Sequence, residues 1–540
     1  MRTLAQVLEE TAAEHPQRPA VIYEGNKTTY GELSQAVTRL AAGLVKLGIK
    51  PGDKVAIWMP NLPEWVTAYF AIAKAGGVVV PMNTRYKSHE VRYILGNSEA
   101  KAVFFTPGFL GIDFDGMLRD VQDELPKMAE LIAVGEQSEG ARTFHEVLNL
   151  GENEEALAEL ERRQDTIDPQ ECVFILYTSG TTGSPKGAML SHHNMAENAR
   201  QVTEILNTAP EDKFLLVVPF FHCFGCVMGI LGAVTWGAGM FPMPVPRPEE
   251  TLRLVQDEGV STLYGVPTMF VQWLETQRAA QREGRAYDLS SLRTGIMAGS
   301  PCPVEVMRGA IDELGCNACI CYGLTEASPV ITMTRFEDSV ERRVETVGRP
   351  LPGVEVRIVD DERKPVPVGE AGELACRGYN VMLGYWRNPQ ATEEMIDEEG
   401  WLYSGDLATV DEDGYVRIVG RKKDMIITGG FNVYPAEIEE ILFTHPGVQN
   451  VSVIGVPDEV MGEVAMAFVI PRQGHTVEPQ EVAQFCAQHF AGFKVPRYVV
   501  VAPEFPMTPS GKVQKFKLRE KGQELIESGQ VQKLEVRKKR

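Results

Sequence analysis

Along the first third of the chain, short wholly apolar runs alternate with segments whose apolar residues recur every three or four positions. VAIWMP (55–60), GVVVPMN (77–83) and KAVFF (101–105) are separated by EWVTAYFAIAKAG (64–76) and SHEVRYILGNS (88–98). Strands that are apolar on both faces, with amphipathic helices between them, predict a parallel sheet covered on both sides. A polar, acidic interval, GENEEALAELERRQD (151–165), reads as an exposed helix or linker. The rhythm then returns in CVFILYTSG (172–180), FLLVVPF (214–220), TLYGVP (262–267), LRTGIMAGS (292–300) and CICYGLTE (319–326), each ending in Gly, Pro or polar residues. At the N-terminus, MRTLAQVLEETAAEH predicts an amphipathic helix with Leu4, Val7, Leu8 and Ala12 on one side.

From about Val347 the pattern changes. GVEVRIVD (353–360), GELACRG (372–378) and YVRIVGR (415–421) are short alternating strands between Pro and Gly turns, the mark of a small antiparallel barrel or sheet. A compact α+β unit follows. PAEIEEILFTHPG (435–447) is a helix opening with Pro at its first turn and closing on Gly447, and EPQEVAQFCAQHF (478–490) is a second helix. VQNVSVIGVP (448–457), VAMAFVI (464–470) and KVPRYVVVA (494–502) are strands. The expected fold class is α/β: a large N-terminal domain, residues 1–420, of parallel-type sheets flanked by helices plus a small β-barrel, and a small α+β C-terminal domain, residues 421–540.

The segment 214–246, FLLVVPFFHCFGCVMGILGAVTWGAGMFPMPVP, contains no Asp, Glu, Lys or Arg and is long enough to cross a bilayer. Pro219 and the frequent glycines divide it into strand, helix and strand lengths, so a buried α/β core is expected and no integral membrane segment. The chain of 540 residues exceeds a single core. Its formal charge of −21 argues against a nucleic-acid face, and only the terminal VRKKR is basic, a solvated end with peripheral contact to an anionic membrane as the alternative. Nine irregularly spaced cysteines fit reduced thiols in a cytoplasmic protein, and the N-terminus lacks the apolar core of a signal peptide.

YTSGTTGSPKGAML (177–190) is the densest candidate for chemistry. Glycines let backbone N–H groups converge, hydroxyls add donors and a lysine adds a point charge, a set suited to phosphate oxygens. The loop differs from Walker A, which needs Lys directly after its second Gly and then a hydroxyl; here Lys186 is separated from Gly183 and followed by Gly187. A Ser/Thr/Gly-rich linker is the alternative. Its place after an apolar strand, at a sheet's carboxyl end, favours a ligand.

That loop resembles the phosphate loop of the adenylate-forming superfamily: acyl-CoA synthetases, peptide-synthetase adenylation domains and beetle luciferases. PFFHCFG (219–225), MAGSPCP (297–303), YGLTEASP (322–329), YSGD (403–406), GRKKDMIITGGFNVYPAEIE (420–439) and PSGKVQK (509–515) follow in the family's order across most of the chain. The resemblance implies a two-step reaction. A carboxylate attacks the α-phosphate of ATP, releasing pyrophosphate, and a thiol then attacks the acyl carbon of the resulting acyl-adenylate.

The resemblance further implies that Thr178, Ser179, Gly180, Thr181, Thr182, Gly183 and Lys186 hold the β- and γ-phosphates, that Thr325 reaches the α-phosphate and that Glu326 is the Mg²⁺ carboxylate. Asp406 would accept both ribose hydroxyls, supported by Arg421. Tyr322, followed by Gly323, would stack on adenine, with Ala298, Gly299 and Ser300 along the opposite face and Ile418 nearby. Lys512 would bridge the carboxylate and the α-phosphate. Lys423 occupies the hinge position, about which the C-terminal domain would swing to present Gly429, Gly430 and Phe431 to a thiol tunnel.

His222 sits where the family's carboxylate pocket is bordered. FFHCFGCVMGI carries no acid to hold an α-amino group, which disfavours an amino-acid substrate. The chain ends soon after PSGKVQK, leaving no room for a fused carrier domain, so free coenzyme A is the expected acceptor. An acyl chain would run along Phe221, Cys226, Val227 and Val330. The wording is closest to bacterial medium- and long-chain fatty-acyl-CoA ligases, with aryl or short-chain carboxylates open, and a monomer or homodimer is expected. Some long-chain enzymes carry a Trp where this chain has Cys226. Two rivals remain from other classes: a non-catalytic, membrane-associated fatty-acid binding or uptake component, and an adenylate-oxidising enzyme of the luciferase kind. The patterns HCFGC and CNACIC lack the paired second half of a zinc site, so Cys223, Cys226, Cys316, Cys319 and Cys321 are read as packing.

Overall fold

The apolar runs pair as their alternation with helices requires. The structure, a computed structural model, describes all residues except 179–184, 430, 508–512 and 535–540. Two large mixed sheets carry most of the chain. The first runs in the order Arg349–Pro350, Val330–Met333, Asn317–Gly323, Thr294–Ala298, Thr262–Gly265, Lys213–Leu216, Gly239–Pro242, Pro19–Tyr23, Asn26–Thr29. It is parallel from Asn317–Gly323 to Pro19–Tyr23 and antiparallel at both edges. The second runs Gly384–Tyr385, Lys186–Ser191, Cys172–Thr178, Val78–Pro81, Lys54–Trp58, Ala102–Phe105, Glu130–Ala133, Arg142–Thr143, parallel from Cys172–Thr178 onward. The central parallel strands are buried on both faces, which is why they read as unbroken apolar runs.

The N-terminal helix, Leu4–Glu14, opens with a capping box in which Thr3 Oγ1 accepts from Gln6 N and Gln6 Oε1 accepts from Thr3 N. Leu4, Val7, Leu8 and Ala12 are buried, as their spacing requires. Each large member of that stripe contributes about 1.5–3 kcal/mol relative to exposure. The uncharged segment 214–246 becomes the strand Lys213–Leu216, a π-helix Phe224–Leu231, a short helix Gly232–Trp236 and the strand Gly239–Pro242. Among the described residues no helix is long and apolar enough to cross a membrane.

Three local expectations are refined. The acidic interval at 151–165 forms the helix Glu154–Gln164, which is not a free linker: Ala156 and Leu160 are buried. The helix beginning at Pro435 stops at Phe443 rather than at Gly447, because Pro446 disfavours helical backbone at His445. The short strands Val354–Val359, Gly372–Gly378, Leu402–Val410 and Val416–Arg421 pair in that order as a four-stranded sheet, not as a closed barrel.

The chain divides into two compact units, Met1–Val356 with Cys376–Leu402 and Gly414–Val416, and Arg357–Ala375 with Tyr403–Asp413 and Arg417–Arg540. In the second unit a sheet in the order Phe431–Val433, Ile426–Thr428, Gly462–Pro471, Val448–Asp458 has Tyr498–Val501 added in parallel to Gly462–Pro471. Period-two alternation sorts its residues. Ala465, Ala467 and Val469 meet Ile438, Leu442, Val482 and Cys486 on one face, while Val464, Met466 and Phe468 meet Leu518 on the other.

Candidate active site

The site begins at the carboxyl ends of the parallel strands, where side chains of neighbouring strands reach one rim. Thr294–Ala298 and Asn317–Gly323 lie side by side with Ala298 opposite Cys321, so Ala298, Gly299 and Ser300 leave the sheet beside Tyr322 and Gly323. Gly299 has φ +94, a conformation that favours glycine, and both it and Ser300 are exposed. Tyr322 is half-buried and pairs with Thr332 across the antiparallel edge.

After Gly323 the chain turns sharply. A Cβ at Gly323 would lie 1.8 Å from the Pro329 carbonyl oxygen, which accepts a 2.9 Å hydrogen bond from Leu324 N. Only a residue without a side chain fits, and the closed turn aims Thr325 and Glu326, in a single 3₁₀ turn, inward. Both are 8% exposed.

Glu326 is the junction of the site. Its Oε1 accepts a 2.7 Å hydrogen bond from the Tyr385 phenol and a 3.4 Å one from Thr178 Oγ1, while its backbone oxygen accepts from Met382 N. The contact with Thr178 joins the carboxyl rims of the two large sheets. Thr178 ends its strand opposite Lys186, which begins the antiparallel return strand. The Lys186 ammonium lies 5.3 Å from the centroid of the Tyr385 ring. Ser179, Gly180, Thr181, Thr182 and Gly183 lie outside the described residues.

Tyr385 was not among the sequence-derived candidates. The available signal was MLGYWRNP, a glycine ahead of two aromatics. Gly384 has φ +126, and a Cβ there would meet Thr392 Cγ2 at 2.8 Å. Asn61 was missed as well. It is buried between two prolines in MPNLPEW, donates to the carbonyls of Leu216 and Val218, and accepts from Phe220 N. Asn61 thereby ties down the segment leading to His222.

His222 is half-buried; its backbone oxygen accepts from Gly225 N and Cys226 N, and its Nδ1 from Phe224 N at 3.3 Å. It stands just before the π-helix, a form of helix often found at functional sites. Cys226 and Val227 are wholly buried, Val330 nearly so and Phe221 half-buried. Cys223, Cys316 and Cys319 are also buried without exposure. Burial pushes the Cys319 thiol up to about 11 and Cys316 up to about 12, away from the thiolate needed for metal binding or exchange. Among the described residues no group of three or more His, Cys, Asp or Glu is placed to hold a metal ion.

In the second unit, Asp406 is buried and Arg421 Nε lies 3.1 Å from its Oδ1. Asp406 N donates to Ser404 Oγ, whose hydroxyl donates to Leu374 O, and Gly405 N donates to Glu373 Oε1. The S-G-D turn is thus locked by its own strand neighbours. Ile418 lies half-buried on the strand that ends at Arg421. Lys423 follows in a short 3₁₀ turn whose backbone oxygen accepts from Arg519; burial, with Arg421 nearby, lowers its ammonium below the usual lysine range. Gly429 has φ +57 and donates to Met461 O. Phe431 is exposed and stacks on Phe493 at 4.7 Å. Gly430 and Lys512 lie outside the described residues.

The profile of the AMP-binding enzymes matches residues 8–386, and that of the AMP-binding enzyme C-terminal domain matches residues 437–512. The chain is 44% identical over 541 residues to the putative acyl-CoA synthetase YngI of Bacillus subtilis, covering 97% of this chain and 98% of that protein. It is 38% identical to the mitochondrial medium-chain acyl-CoA ligase ACSF2 of Bos taurus, covering 96% and 87%. The crystal structure of ATP-bound MatB from Rhodopseudomonas palustris superposes with a TM-score of 0.85 at 31% identity, over 96% of this chain and 99% of that one. With the motif order, the fold and both profile matches in agreement, the chain belongs to the AMP-binding enzymes of the adenylate-forming superfamily, and its enzyme class is that of an AMP-forming acyl-CoA synthetase.

Proposed function

We propose that the chain activates a medium- or long-chain fatty acid: it forms the acyl-adenylate from ATP with release of pyrophosphate, then passes the acyl group to the thiol of coenzyme A and releases AMP. The observation that carries this reading is the convergence of Thr178, Lys186, Thr325 and Glu326 at one rim. Adenylation moves charge onto phosphate oxygens, and donors and a cation already in place stabilise it without reorganisation. Thr178 and Lys186, with residues 179–183, would hold the β- and γ-phosphates, and Thr325 the α-phosphate.

Glu326 fits a Mg²⁺ ligand. It is a buried carboxylate with one oxygen hydrogen-bonded, and among the described residues no cation pairs with it. Such a carboxylate calls for a partner. When bound, the ion would neutralise phosphate charge. Tyr322, with Gly323, Ala298, Gly299, Ser300 and Ile418, would receive adenine, and Asp406, steadied by Arg421, would accept from the ribose hydroxyls. Lys512 would bridge the carboxylate and the α-phosphate. Rotation of residues 421–540 about Lys423 would then exchange Lys512 for Gly429, Gly430 and Phe431 beside the incoming thiol.

For the acid, the run from Phe221 through Val227, which carries no Asp, Glu, Lys or Arg and includes His222, and the apolar Val330 support an aliphatic chain. ACSF2, a medium-chain acyl-CoA ligase by name, supports the same class. The free thiols, all but Cys172 buried, fit a reducing compartment such as the cytoplasm. A screen of C2 to C18 and aromatic acids for CoA-dependent AMP release tests the substrate class, with C8 to C16 expected to lead. Lys512→Ala is expected to lose acid-dependent ATP–pyrophosphate exchange and to retain thioester formation from preformed acyl-adenylate. Absence of exchange with every acid in the presence of Mg²⁺ would refute the reading.

A further inference from the structure

Tyr385 touches both charged groups of the phosphate rim and belongs to none of the motifs that located it. Its phenol donates to Glu326 Oε1 at 2.7 Å, a charge-assisted bond. The ring lies beneath the Lys186 ammonium at 5.3 Å, within cation–π range. We propose that Tyr385 is a positioning residue for nucleotide binding, orienting the Glu326 carboxylate toward Mg²⁺ and the Lys186 ammonium toward phosphate; this rests on the role proposed above for Glu326.

The way the residue is held supports positioning rather than packing. Tyr385 is 7% exposed and sits in a two-residue strand paired with Lys186–Ser191, with Ala188 as its partner and Met189 opposite Gly384. Its N–H donates to Thr392 Oγ1 at 2.9 Å, and Thr392 also blocks any side chain at Gly384. The next residue, Trp386, donates its backbone N–H to Gly187 O and its Nε1 to Asn97 O. The backbone on both sides is therefore fixed, and of the two acceptors within reach of the phenol, Glu326 Oε1 at 2.7 Å and Met395 Sδ at 3.0 Å, the carboxylate is the nearer and the stronger. Because Oε1 takes both the Tyr385 and Thr178 hydroxyls, Oε2 accepts from no described residue and is the oxygen left for a cation. A partner that orients a metal-binding carboxylate in this way typically changes metal affinity about 10- to 100-fold when removed.

The test is calorimetric titration of the full chain with ATP, once with Mg²⁺ and once with EDTA, and with thermal unfolding recorded for each variant. Tyr385→Phe is expected to weaken ATP binding about 10-fold in Mg²⁺, to leave it unchanged in EDTA and to keep the unfolding temperature near wild type. Tyr385→Leu, which also removes the ring, adds a loss of a few-fold in EDTA through Lys186. Met395→Leu alters the packing beside the same hydroxyl, whose oxygen lies 3.0 Å from the Met395 sulfur, and is expected to leave both titrations unchanged. Glu326→Gln separates the two proposals. If it abolishes the gain from Mg²⁺ while Tyr385→Phe keeps that gain, Tyr385 is not a positioning residue and the role of Glu326 stands. If Glu326→Gln keeps the gain, the role of Glu326 falls and this inference with it. Equal losses for Tyr385→Phe in Mg²⁺ and in EDTA would assign it to packing and overturn the proposal.

Discussion

Gly323→Ala is the most direct test that the turn at 323–330 builds the site. The added methyl would stand 1.8 Å from Pro329 O, 2.8 Å from Pro329 C and 2.9 Å from Val330 Cα, all backbone atoms that no rotamer change can clear. To reach an ordinary contact of about 3.4 Å the Pro329 carbonyl must retreat by about 1.6 Å. That movement breaks the Leu324 N to Pro329 O bond, a loss of about 1 kcal/mol, and shifts Thr325 and Glu326 with it. Displacing catalytic groups by about 1 Å costs about 100-fold in rate. Acid-dependent ATP–pyrophosphate exchange should therefore fall at least about 100-fold while the unfolding temperature drops only a few degrees. The turn joins the last parallel strand of the first sheet to its antiparallel edge and lies outside the parallel centre of that sheet. Wild-type exchange in a folded Gly323→Ala protein would show that the turn does not position the site, and complete unfolding would show that its role is structural.

Three further outcomes are expected. His192 is buried and its Nδ1 accepts from Leu4 N; burial pushes it down to about 4 against the weaker pull of Asp168. The unfolded chain takes up that proton near 6.5 and the folded one only near 4, so about 3 kcal/mol of stability present above that window is lost as pH falls through it. Urea unfolding at pH 7 and pH 4.5 should show the loss, and His192→Asn should flatten it. Asp406→Asn should raise the KM for ATP about 10-fold with little change in thermal stability, since it keeps the shape of the turn and removes one charge; an unchanged KM would exclude ribose contact. Gly151→Ala places a Cβ 1.7 Å from Arg39 O, far from the site, and should lower the unfolding temperature without changing the KM for ATP.

The alternation of apolar and amphipathic segments was sufficient for the elements, because each run carries its own period. Leu4–Glu14, Cys172–Thr178 and Gly462–Pro471 form where their patterns placed them. One helix opening was legible to the same degree: Pro435 begins its helix as its residue type requires. Where a second signal competed, as Pro446 did with Gly447, the nearer steric constraint decided the boundary. Candidate chemistry was visible wherever it was concentrated in one short motif, as in the loop beginning at Thr178, the turn at Thr325 and Glu326, and the S-G-D of Asp406.

By itself, then, the sequence determined which segments are strands and helices and that the sheets are buried on both faces, and through its resemblance to the adenylate-forming superfamily it offered short motifs as candidates for phosphate, base and ribose. Tertiary structure alone decided that Glu326 meets Thr178, 148 residues away, and Tyr385, 59 residues away, and that Asn61 holds the backbone ahead of His222 from across the fold. The physical reason is that hydrophobic period and turn chemistry are local properties of the chain, whereas these contacts depend on strand order and register. Shifting the strand carrying Tyr385 by one position would turn its side chain to the other face, away from Glu326.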